Sequence, residues 1–129
     1  MRKELDKTLV ERYPKIFADR HGDMKETAMC WGFDCGDGWY WLIDNLCSSI
    51  QSHIDYNDVP QVTAIQVKEK FGGLRFYFNG GNDYIDGMTS LVESMSYTIC
   101  EECGSTVNVK QTDGWVYTRC DKCMEKIKK

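Results

Sequence analysis

The segments Cys100-Glu-Glu-Cys-Gly104 and Thr118-Arg-Cys-Asp-Lys-Cys123 place four cysteines in two matched pairs, with two residues inside each pair and 16 between the pairs. Two residues between thiols let one tight turn aim both sulfurs at a single ion, and two such turns close a tetrahedral shell. The pattern predicts one structural zinc ion on Cys100, Cys103, Cys120 and Cys123, with no position left for water or substrate. Redox dithiols also use this spacing, but a matched double pair favours metal. Gly104, directly after the second thiol, suits a knuckle whose backbone amides turn toward sulfur. Within the spacer, Val107 and Val109 on one side and Trp115, Val116 and Tyr117 on the other bracket the hairpin dipeptide Asp113-Gly114. Met124, Ile127 and the lysines around them fit a short terminal helix carrying Cys123 in its first turn. Knuckle, hairpin and helix-borne ligands predict a treble-clef-like module over 99–129, with a ribbon-like module as the alternative.

Upstream, residues 1–98 read as an α+β body. Leu5, Leu9 and Tyr13 share one side of a first helix that Pro14 ends. After Gly36-Asp-Gly38, residues Trp39, Leu42, Ile43, Leu46, Ile50 and Ile54 recur at helical spacing, with Trp41 on the opposite face, either exposed or covered. The period then becomes two: Thr63, Ile65 and Val67, then Leu74, Phe76 and Phe78, flank Gly72-Gly73 as a hairpin with one apolar face. A third helix follows, with Ile85, Met88, Val92, Met95 and Ile99 as its stripe, predicted to lie across the hairpin. It runs straight into Cys100, so the metal module is expected to pack on the body rather than swing on a linker.

The 129 residues include enough apolar side chains, 42%, to fill a core. There is no run of about 18 apolar residues and no secretion signal, and the odd count of seven cysteines argues against a disulfide scaffold. A cytoplasmic protein with no membrane association is expected. The formal charge of -4 is unevenly spread: Glu26 to Val67 and Phe76 to Val109 contain acidic residues but no Lys or Arg. That middle repels phosphate, and the basic residues near the C-terminus, from Lys110 to Lys129, form the one local basic excess.

Over most of its length the chain resembles a family of short uncharacterised proteins of phages and bacteria. The resemblance is carried by Cys35-Gly-Asp-Gly-Trp39, by Val67-Lys-Glu-Lys-Phe-Gly-Gly-Leu-Arg-Phe-Tyr77, and by Cys100-x2-Cys-Gly104 with Gly114-Trp115 and Thr118-Arg-Cys-x2-Cys123. It implies a zinc-bearing module and no activity. A phage origin would further imply a small acidic protein that acts on a host protein as an inhibitor.

No catalytic constellation stands out. His21, Asp23, Asp34 and Asp37 are scattered through loops, and Gly36-Asp-Gly and Gly80-Gly81 read as turns rather than phosphate cradles. Cys30, Cys35 and Cys47, with His21 or His53, match no common metal site, and a buried thiol and a core histidine explain Cys47 and His53. The aromatic and acidic segment from Cys30 to Trp41 suits protein recognition, with Trp41, Asp34, Asp37 and Asp44 as candidate contacts for a host or cellular protein. The leading expectation is thus a non-enzymatic, zinc-stabilised protein-interaction module, an inhibitor or adaptor. The alternative is nucleic-acid binding through the basic module, with Arg119, Lys122 and Lys126 on phosphates and Trp115 and Tyr117 stacking on bases.

Overall fold

In the computed structural model, residues 1–128 are described; Lys129, counted above in the C-terminal basic group, lies outside them. Helices and short strands follow in the order the sequence suggests, and the result is an α+β body followed by a cysteine-rich lobe. Helix α1 covers Lys3–Arg12, α2 Tyr40–Tyr56, α3 Asp83–Ser96 and α4 Asp121–Lys128. Strands β1 (Phe33–Asp34), β2 (Thr63–Lys70) and β3 (Gly73–Asn79) form one sheet in the order β1-β2-β3, and β4 (Val109–Gln111) and β5 (Thr118–Cys120) form a second.

The β2–β3 hairpin differs from the expected one in register and turn. Ala64 pairs with Phe78 and Gln66 with Tyr77, leaving Ile65 as an extra residue in a β-bulge. The bulge shifts the inward phase, so Val62 and Ala64 are buried before it and Val67 after it, while Thr63 and Ile65 are only half-buried. A strict period of two cannot anticipate such a shift. Lys70 pairs with Gly73, so the two loop residues are Phe71 and Gly72 rather than Gly72 and Gly73. Both have positive φ, 54° and 85°, as the tight hairpin turn that matches strand twist requires.

Strand β1 was not foreseen from the sequence. It is two residues long, runs parallel to β2 and pairs Phe33 with Val67. Helix α3 ends before Ile99 and lies along the free edge of β3, where the Ser96 hydroxyl accepts the Leu74 amide at 2.9 Å. That hydrogen bond blunts the sheet edge. Leu9, Ile16, Phe17, Trp39, Leu42, Ile43, Leu46, Ile50, Val67, Leu74, Phe76 and Ile85 make one continuous core between the helices and the sheet. The strands of the second sheet are shorter than expected: Val107 lies before β4, and Trp115 to Tyr117 lie in the β4–β5 loop. Among the described residues, no helix is long and apolar enough to cross a membrane.

Candidate metal centre and exposed surfaces

Each half of the four-cysteine cluster is built locally. Cys100 to Gly104 form a knuckle: the Gly104 amide donates to the Cys100 carbonyl at 2.9 Å, and Gly104 takes φ 82°, where a side chain is disfavoured. Cys120 closes β5 and Cys123 sits in the first turn of α4. The order is therefore knuckle, hairpin, helix, as in a treble clef. The four sulfurs lie within 4.8 Å of one another, and those of Cys103 and Cys120 are 3.7 Å apart. Metal–sulfur bonds of about 2.3 Å in a regular tetrahedron give sulfur–sulfur edges of about 3.8 Å, so the cluster fits one metal ion. Among the described residues it is the only convergent group of this kind, and Cys30, Cys35 and Cys47 form no second one.

Electrostatics agree with a shell that needs a cation. Burial opposes ionisation of Cys100, yet the amides of Cys103, Cys120 and Glu102 directed at its sulfur bring it down to about 7. Burial, then the crowding of the other sulfurs, pushes Cys123 up to about 12. Thiols this close do not all ionise together without positive charge among them.

The Cys35-Gly-Asp-Gly-Trp39 segment is the dock for this lobe, a role the sequence did not reveal. The Gly38 amide donates to the Glu101 carbonyl at 2.7 Å, the Gly36 amide to a Glu101 carboxylate oxygen at 2.8 Å, and the buried Trp39 indole to the Ile99 carbonyl at 2.9 Å. A Cβ on Gly38 would overlap the carbonyl of Cys100, so backbone meets backbone here. Burial raises the Glu101 carboxyl, an effect the Gly36 amide partly opposes. Further support comes from the hairpin tip, where the Thr118 hydroxyl donates to the Gly72 carbonyl at 2.5 Å. Two glycines flanking an aspartate and followed by tryptophan were the available signal, but their partners lie 60 to 65 residues away.

The expected interaction residues separate. Trp41 is 61% exposed. Asp44 is tied to α1, accepting from Tyr13 Oη at 2.6 Å and Arg12 Nη1 at 3.1 Å, and Asp37 accepts the Arg2 amide at 2.8 Å. Asp34 is exposed on β1. His21 and Asp23 are exposed in the segment after α1. The basic residues of the lobe are partly engaged as well: Arg119 pairs with Glu102 and stacks over Tyr117 at 5.1 Å, and Lys126 reaches Glu102 at 4.0 Å, while Lys122 is exposed.

Two concave surfaces were not legible in the sequence. One, of about 310 Å³, lies between α2 and α3 and is lined by Trp41, Leu42, Leu46, Met88, Leu91 and Met95 among others. The other, of about 300 Å³, lies between the tips of the two hairpins. Leu91 escaped notice because it flanks the α3 stripe instead of continuing it. Comparison with known protein families, with curated proteins and with solved structures gave no match.

Proposed function

We propose that this chain is a non-enzymatic protein-interaction module, an adaptor or inhibitor, whose C-terminal lobe is held by one structural zinc ion. An all-thiolate shell with tetrahedral edges suits zinc above harder divalent ions, and its four positions leave none open for substrate. Cys100, Cys103, Cys120 and Cys123 would hold the ion, which supplies cross-linking of knuckle to helix and no chemistry.

The groove between α2 and α3 carries the reading. Its lining residues include no charged side chain, in a protein where 28% of residues are charged. Trp41 and Leu91, each 61% exposed, stand on its two walls. Interface cores are depleted of charge and enriched in aromatic residues and methionine, which is the composition found here. Trp41 serves as the anchor, and Met88 and Met95 supply a surface that adapts to the partner. The competing reading, phosphate binding by the terminal basic group, is weakened because Glu102 already engages Arg119 and Lys126.

The tagged chain, immobilised and exposed to nuclease-treated cell lysate, is expected to retain one protein stoichiometrically. That protein should be lost on Trp41→Ala and on Leu91→Ser, with metal content and helical circular dichroism unchanged. Retention that both variants leave intact would remove the groove from the proposal, and no retained protein would remove the proposal itself.

A further inference from the structure

The two hairpins of this protein, far apart in sequence, bring their tips together around a cleft of about 300 Å³ lined by Lys68, Glu69, Lys70, Phe71, Trp115 and Val116. Phe71 is 72% exposed and Trp115 is 78% exposed, so two large rings stand in water beside one cavity. Phe71 also occupies a turn position with φ 54°, a conformation that suits Gly or Asn and disfavours a bulky residue. The hairpin turn requires that conformation but not an aromatic side chain, so a large ring left exposed there points to ligand contact.

Charge completes the pattern. Lys70 Nζ lies 5.7 Å from the centre of the Phe71 ring, and Lys68 lines the same cleft. Of the nearby carboxylates, Glu69 lines the cleft and accepts the Gly72 amide at 2.7 Å, and the exposed Asp34 pairs with Lys68 between β1 and β2. The cleft lining thus holds two lysines and one glutamate beside two exposed rings.

From this juxtaposition we infer that the cleft between the hairpin tips binds single-stranded nucleic acid, stacking bases on Trp115 and Phe71 and pairing phosphates with Lys68 and Lys70. Stacking suits single strands because every base offers a π-face. A duplex needs a longer basic track, which the acidic stretches flanking this hairpin oppose. The site lies on residues other than those of the α2–α3 groove and stands independently of that reading.

Fluorescence anisotropy with a labelled 15-nucleotide oligo(dT) and the intact, metal-loaded chain at low salt tests the inference. Binding is expected to weaken about tenfold or more on Trp115→Ala. With two phosphate contacts, the slope of log affinity against log salt should be about 1.4 in magnitude and collapse in a Lys68→Gln, Lys70→Gln double variant. Phe71→Asn separates ligand contact from a structural role: it is expected to weaken binding while keeping or raising the melting temperature, since Asn tolerates positive φ. Trp41→Ala should leave binding unchanged. The inference is overturned by no binding at low salt, by binding indifferent to Trp115→Ala and Phe71→Asn, by equal affinity for duplex, or by an acidic peptide that displaces the oligonucleotide at equal concentration.

Discussion

Gly38 shows how a single residue decides whether the two lobes join. Its amide reaches Glu101 at 2.7 Å, and a methyl group there would overlap the carbonyl of Cys100. Gly38→Ala is expected to cost about 1–3 kcal/mol in urea unfolding, the range for overpacking, and to loosen metal retention because the displaced carbonyl belongs to Cys100 of the four-cysteine cluster. Tyr13 and Cys35 illustrate a second residue-level effect. Burial raises each to about 12, from ordinary values of 10.0 and 9.0, with the hydrogen bond to Asp44 adding to the shift at Tyr13. Both groups stay neutral when folded over a range in which the unfolded chain ionises. Their contribution is thus complete below pH 9 and is lost as pH rises toward 12. Chemical denaturation across this range should show falling stability, with a shallower fall above pH 10 in Tyr13→Phe. The residue types at these positions were legible in the sequence. Their burial was not, because it depends on elements far away in the chain.

At the scale of elements, apolar spacing located α1, α2, α3 and both strands of the main hairpin, since a helix or strand must turn its apolar residues to one side to bury them. Three features escaped: the bulge at Ile65, the turn at Phe71-Gly72 and the parallel strand β1. A bulge resets a strand's phase in response to its neighbours, and a two-residue strand has no period to read. Helix α3 offers a test of local control. The Asn82 side chain caps it by accepting the Ile85 amide at 3.1 Å and contacts His53 Nε2 at 3.1 Å. Asn82→Ala is expected to destabilise by about 1 kcal/mol, and Asn82→Asp, which keeps the acceptor, should recover most of that loss in thermal unfolding.

Across the whole molecule, the cysteine-rich lobe and the body share hydrogen bonds at the Cys35–Trp39 dock and at the hairpin tip. A metal ion that closes the lobe therefore stabilises the body too. Removing it with a strong chelator is expected to lower the melting temperature of the entire chain in one transition, whereas reductant alone should change nothing, since all seven cysteines are free thiols. Two separate transitions after chelation would show that the dock transmits little. The sequence alone singled out the four cysteines that cluster, because thiol spacing within a turn is a local property, and it determined the α+β class, because amphipathic period is local as well. Only the tertiary structure decided that Gly36, Gly38 and Trp39 receive the knuckle, that Trp41 stands beside Leu91 on an uncharged groove, and that Trp115 faces the cleft lined by Phe71 and two lysines. Those relations join residues that no local rule connects: side chains from distant segments become neighbours only when the core that buries them has formed.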